Sequence, residues 1–193
     1  MNTEFWETVS RRRSIRRYEN RPVPLTEIER IVEAASSAPS AHNSRPWHFA
    51  VITSAGTRDA LVRDMAATYN GDMLEAGVEP QLRKKKTSRS LDLLGSAPAI
   101  IVPYLVQPGP GREEHTMAVQ SVAVAIGYLL LASTACGLGA CWYSAPLFCP
   151  AIVNQHLRMK ANWEPQALIT LGYPAESPRS VQRKPLQDIM SHV

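Results

Sequence analysis

A-V-Q-S-V-A-V-A-I-G-Y-L-L-L-A-S-T-A, residues Ala118–Ala135, is the stretch on which the fold turns. It lies inside a longer segment, Thr116 to Leu157, that contains no Asp, Glu, Lys or Arg. By length it would cross a bilayer. Gln120, Ser121, Ser133 and Thr134 dilute its hydrophobicity, no Lys/Arg cluster flanks it, and no second such span exists in the sequence. The expectation is a helix buried on all faces within a core, with no membrane contact. Its Ala, Ser and Gly content suits close packing against a second copy of the chain.

Outward from this helix, the flanking segments read as strands and helices in irregular alternation. Ala99–Val106 (A-I-I-V-P-Y-L-V) is almost wholly apolar and reads as an interior strand, with Pro103 implying a bulge. Trp47–Thr53, Ala140–Ser144 and Gln166–Leu171 read as further strands. Helices are expected at Thr3–Arg11, from Leu25 behind a Thr26-x-x-Glu29 capping box, at Arg58–Tyr69 and at Cys149–Leu157. Gln107–Arg112 reads as a turn, and Asn70–Ser90 as a polar excursion or lid with a short helix of its own. The tail from Pro174 to Val193 is Pro- and charge-rich. Without the regular rhythm of a doubly wound fold, the class is α+β in one domain, residues 1–193.

At 193 residues and a net charge of +4, the chain fits one domain with localised rather than general positive charge. The N-terminal stretch is not expected to act as a signal peptide, and three cysteines without a C-x-x-C pair make a reducing cytoplasm the expected setting. Five arginines crowd into Arg11-Arg12-Arg13-Ser14-Ile15-Arg16-Arg17. Such charges repel unless an anion neutralises them, and guanidinium forks match phosphate. Nucleic acid, a membrane surface and a phosphorylated cofactor all fit. A second basic stretch, Arg83-Lys84-Lys85-Lys86 with Arg89, reads first as a solvated helix face, and otherwise as a site for an anionic substrate tail or a nucleotide phosphate.

Catalytic templates are missing. There is no G-x-G-x-x-G after a strand, no Walker loop, no H-E-x-x-H and no G-x-S-x-G. The five histidines are scattered and form no metal-ligand spacing. No metal and no catalytic acid, base or nucleophile is expected.

Four motifs in order then form a pattern. R-R-S-I-R-R-Y (Arg12–Tyr18), A-P-S-A-H-N-S-R-P-W-H-F (Ala38–Phe49), G-L-G-A-C-W-Y-S (Gly137–Ser144) and L-G-Y-P-A-E (Leu171–Glu176) with Arg183-Lys184-Pro185-Leu186 together resemble the FMN-dependent nitroreductase superfamily. The resemblance implies a central, mostly antiparallel sheet flanked by helices in an intertwined homodimer, with FMN at the subunit interface and the tail 174–193 reaching the partner. It implies that Arg12, Arg13, Ser14 and Arg16 hold the FMN phosphate and ribityl chain, with Arg183 adding a guanidinium. Pro39, Ser40, Ala41 and Asn43 match the loop that the partner lays against the flavin, and Ser144 and Ala145 match the position facing flavin N5. A flavin carries its own reactive atom, which accounts for the missing catalytic constellation.

The implied activity moves hydride from NADPH or NADH through flavin N5 to a small organic acceptor of nitroaromatic, quinone or enoyl type, with ping-pong kinetics. Two departures bear on the acceptor: Arg45 stands where many nitroreductases have glutamine, and Ser144-Ala145-Pro146 replaces an acidic-glycine sequence. Arg45-Pro46-Trp47, Ala97-Pro98 and Asn162-Trp163-Glu164-Pro165 resemble more closely the C-terminal reductase module of the ligase that matures the deazaflavin coenzyme. A dedicated biosynthetic reductase, or a flavin or deazaflavin carrier without turnover, are the alternatives. Glu19, Glu27 and Glu29 beside the arginine run, with the modest net charge, argue against a nucleic-acid partner.

Overall fold

The computed structural model describes residues 3–106, 109, 111–177 and 182–192. Its centre is an antiparallel sheet built from β1 (Trp47–Ile52), β2 (Ala99–Leu105), β3 (Gly139–Tyr143), β4 (Glu164–Pro165) and β5 (Leu168–Gly172). The strand order is β1-β2-β5-β3, with the two-residue β4 also pairing with β2. Helices α1 (Thr3–Arg11), α2 (Leu25–Ser36), α3 (Ala55–Glu75), α4 (Pro80–Gly95), α5 (Arg112–Ala135) and α6 (Pro150–Leu157) surround it.

Every residue of β2 is buried because helices cover both of its faces. Ala99, Ile101 and Leu105 join Ile169 and Leu171 against α2 and α5. Ile100, Val102 and Tyr104 join Leu168 against α3 and α6. This period-two division explains an unbroken apolar run in place of alternation. Each fully buried Ile or Leu contributes about 1.5–3 kcal/mol. The α+β class and the mostly antiparallel sheet agree with the sequence reading.

Pro103 makes no bulge against β1, where the register runs unbroken from Trp47↔Leu105 through Phe49↔Pro103 to Ile52↔Ile100. The irregularity is on the other edge. There β5 pairs with Ala99–Ile101 and β4 with Tyr104–Leu105, and the Pro103 carbonyl accepts the Gln166 N–H at 2.8 Å. A residue without an N–H sits where the strand changes partners.

Helix α5 is not buried on all faces in the single chain. Ala118, Ser121, Val122, Ala125, Ile126, Leu129 and Ser133 face inward, whereas Val124 and Tyr128 are exposed. The helix is long and apolar enough to span a membrane by length and composition, yet its inner stripe is used for core packing. It ends where Gly137 takes φ +72° and the Leu138 N–H returns to the Ser133 carbonyl at 2.8 Å.

Two other expectations change. The capping box before α2 does not form, because Pro24 occupies the N-cap and no side chain caps the helix. Asn70–Ser90 is helical for most of its length: α3 continues to Glu75, and α4 is a full 16-residue helix packed antiparallel on it. Gln107, Pro108 and Pro110 of the expected turn, and 178–181 and 193 of the tail, lie outside the described residues.

Candidate functional site

The arginine run leaves α1 and lies in extended form along the free edge of β3. Ser14 bridges Ala140 in parallel, and the Ile15 N–H donates to the Ala140 carbonyl at 3.0 Å. Ile15 is buried against Gly139, where an added Cβ would stand 2.7 Å from the Ile15 Cβ. Glu176 Oε1 accepts the N–H groups of Arg16 at 2.6 Å and Arg17 at 3.2 Å. The Tyr18 hydroxyl lies 2.5 Å from the Ile15 carbonyl, to which it donates, and 2.6 Å from Thr170 Oγ1. Burial pushes the Tyr18 phenol far above its ordinary value, against a smaller lowering by the Thr170 hydrogen bond.

The backbone is therefore pinned while the guanidinium groups remain available. Among the described residues, none of Arg12, Arg13, Arg16 or Arg17 has a carboxylate within ion-pair distance. Arg13 Nη1 donates to the Ser10 carbonyl at 2.7 Å and the Arg12 carbonyl at 3.0 Å, so part of that fork closes the end of α1. Uncompensated positive charge on a fixed backbone fits a phosphate monoester.

At the far end of β3 the chain turns through Ser144 into a short 3₁₀ turn, Ala145–Phe148, whose Leu147 N–H bonds the Ser144 carbonyl at 3.1 Å. Ala145 borders a cavity of about 380 Å³ between α3, α4 and this turn. Met65, Tyr69, Met73, Leu94, Phe148 and Cys149 give it a mainly apolar wall. Burial, then the nearby Asp72, pushes the Cys149 thiol above its ordinary range, which disfavours the thiolate.

The loop Pro39–Asn43 sits elsewhere, against α5. His42 (φ 53°), Asn43 (φ 53°) and Arg45 (φ 46°) are all left-handed without being glycine. Left-handed backbone costs about 1–2 kcal/mol per ordinary residue, less for Asn. Local bonds hold the loop in place: Ala41 N–H to Ser121 Oγ at 3.1 Å, Arg45 N–H to Ser40 Oγ at 3.0 Å, and Arg45 Nε–H to Asn43 Oδ1 at 3.1 Å. Strain kept at this expense points to function.

The expected site residues thus fall into groups. Arg12, Arg13, Ser14 and Arg16 lie on one stretch along β3, and Ser144 and Ala145 follow its end. No hydrogen bond or ion pair joins these to Pro39, Ser40, Ala41 or Asn43 among the described residues. Arg183 is exposed and makes no such contact to the run. The sequence reading assigned no role to Ser121, Glu176 and Tyr18, which fix loop and run, nor to the cavity lining. Glu176 and Tyr18 fell inside recognised motifs; Ser121 carried no signal.

The nitroreductase family model matches residues 9–173. The chain belongs to the nitroreductase family. Among its relatives, an iodotyrosine deiodinase of Haliscomenobacter hydrossis is 32% identical over 200 residues, spanning 98% of this chain and 88% of the relative. An NADH dehydrogenase of Thermus thermophilus is 34% identical over 199 residues, spanning 93% and 91%. A solved nitroreductase-type protein of Desulfovibrio desulfuricans in complex with FMN superposes with TM-score 0.76 at 26% identity, covering 100% of this chain and 98% of its own. The family resemblance read from the four motifs is therefore correct.

Proposed function

We propose that this nitroreductase-family chain is an FMN-dependent oxidoreductase. The observation that carries the reading is the pinned arginine run, with four guanidinium groups lacking carboxylate partners among the described residues, alongside the strand that leads to the Ser144–Ala145 turn. Arg12, Arg13 and Arg16 neutralise the cofactor phosphate, and Ser14 adds a hydroxyl. The Ser144 and Ala145 backbone serves the reactive edge, where N–H donors stabilise charge on a reduced ring. When bound, the flavin supplies at N5 the atom that accepts and returns hydride. The apolar cavity beside Ala145 excludes water and admits a flat organic acceptor.

We further propose that two copies complete the site. The strained Pro39–Asn43 loop of one copy approaches the cofactor held by the other, with the exposed stripe of α5, including Val124 and Tyr128, between them. NADPH or NADH is the reductant in this reading. It leaves before a nitroaromatic, quinone or enoyl acceptor enters, which gives parallel double-reciprocal lines; converging lines count against that order.

The test is the visible spectrum of the purified protein before and after anaerobic NADPH and NADH. Flavin bands that bleach are expected. A colourless protein whose melting temperature ignores added FMN overturns the reading, and bands that no reductant bleaches favour a carrier. The deiodinase relatives favour a second acceptor class, halogenated aromatics: bleaching by dithionite alone, followed by iodide release from iodotyrosine, would select it. Turnover of a deazaflavin precursor without nitroaromatic or quinone turnover would select the biosynthetic reductase.

A further inference from the structure

The apolar cavity beside Ala145 carries a single formal charge. Met65, Met73, Leu94 and Cys149 form its buried inner wall, and the exposed Tyr69 and Phe148 stand at its mouth. Thioethers and aromatic rings pack well on a flat ring, and about 380 Å³ holds a small aromatic molecule. Among the described residues no Lys, Arg or His lines the cavity, and Asp72 is the one charged side chain that does.

Asp72 has no counter-charge. Its carboxylate has neither a hydrogen-bond nor an ion-pair partner among the described residues. It lies in the last turn of α3, where no basic residue stands, so the negative end of the helix dipole adds to its charge. That charge is felt on the inner wall: after burial, Asp72 is the next cause that raises the Cys149 thiol. Glu75 shares the turn but is not part of the lining. A cation seated in the cavity would be attracted by both carboxylate and dipole. An anion there would be repelled by both, with no basic side chain in the lining to receive it.

We propose that this cavity selects its aromatic ligand by charge, with Asp72 as the specificity-determining residue: ammonium-bearing rings are favoured, uncharged rings admitted and carboxylates rejected. As a statement about the electron acceptor this rests on the flavin reading above; as a binding preference it is measurable without turnover. A zwitterion such as 3-iodotyrosine gains through its ammonium and loses through its carboxylate. The amine 3-iodotyramine, with the same ring and no carboxylate, only gains.

The experiment titrates the full chain, with FMN added and no reductant, and follows the methyl resonances of Met65 and Met73. 4-Nitrobenzylamine, 4-nitrobenzyl alcohol and 4-nitrobenzoate present one ring with three charges, compared at equal ionic strength. The amine is expected to bind about tenfold more tightly than the benzoate, with the alcohol between them, as attraction against repulsion by a partly solvated carboxylate implies. Asp72→Asn is expected to shrink the amine-to-benzoate ratio by about threefold or more. Its melting temperature should be unchanged or higher, since it removes an acid from the negative end of α3. Glu75→Gln, in the same turn but outside the lining, should leave the ratio as in the wild type. 3-Iodotyramine should bind more tightly than 3-iodotyrosine.

Benzoate binding as tight as that of the amine, a ratio unchanged in Asp72→Asn, or an equal change in Glu75→Gln overturns the proposal. So does the absence of saturable methyl shifts with all three ligands. The flavin reading fails separately: a protein that takes up no FMN yet shows this order of binding sinks that reading and keeps the charge preference.

Discussion

The two basic stretches have similar composition and opposite construction. The arginine run is extended, and its backbone is spent on its neighbours: Ser14 and Ile15 on β3, Arg16 and Arg17 on Glu176. Helix α4 satisfies its own backbone and meets the core chiefly through Leu94. Positive charge in a sequence therefore says little until the backbone is known. An extended, clamped segment holds guanidinium groups at fixed spacing, an arrangement suited to a phosphate. Helix α4 turns its lysines to solvent.

The largest effect should come from separating the run from the sheet. A Cβ at Gly139 would stand 2.7 Å from both the Cβ and Cγ2 of Ile15, and Ile15 has little room to retreat because it is 6% exposed. Gly139→Val is expected to lower unfolding free energy by about 3 kcal/mol, the upper part of the usual overpacking range. The counterpart in the α3–α4 hairpin is Gly71, whose Cβ would meet nothing within 4 Å. Gly71→Ala is expected to raise stability by about 0.5–1 kcal/mol through helix propensity. Urea denaturation of both variants checks the pair; a Gly139→Val protein as stable as the wild type would break the comparison.

Next in size is the effect on cofactor. Arg13→Ala is expected to weaken FMN binding tenfold or more, as loss of a charge-assisted bond worth about 1.5–3 kcal/mol implies. It should also lower the melting temperature, because Arg13 bonds the Ser10 and Arg12 carbonyls. Arg89→Ala on α4 should leave FMN binding unchanged. Equilibrium dialysis with FMN and thermal melts measure both quantities. If stability falls while FMN affinity holds, the run is a structural clamp and nothing more.

The sequence made the sheet more legible than the site. An apolar run as long as Ala99–Val106 has few homes other than a doubly covered strand, and Gly137 is well suited to end α5. Helix α4 was hard to see because its apolar residues are too few to set a helical stripe; it is held by α3, which the local sequence does not report. Position 24 defeated the capping box, since the proline took the cap before Thr26 could act. The left-handed turn at His42, Asn43 and Arg45 carries no glycine to announce it. The arginine motif was visible as charge, but its clamp is not, because Glu176 reaches Arg16 across 160 positions of chain.

The smallest effect tests the clamp through a single hydroxyl. Tyr18 bonds Ile15 and Thr170, whereas the buried Tyr104 hydroxyl has no hydrogen-bond partner among the described residues. Tyr18→Phe should therefore cost about 1 kcal/mol at neutral pH, and Tyr104→Phe should be neutral or slightly stabilising. Burial raises the phenol of each above the ordinary tyrosine value. The unfolded chain then loses these protons near pH 10 while the folded chain keeps them. Their contribution is fully present below that pH and declines as pH rises above it toward the folded values. Stability of the wild type should fall above about pH 10, and each Phe variant should fall less steeply. Urea midpoints at pH 7, 9.5 and 11 separate the outcomes. Equal losses at pH 7 for both variants would mean that the Tyr18 hydroxyl does not hold the run, and the clamp would then rest on Glu176 and the Ile15–Gly139 contact alone.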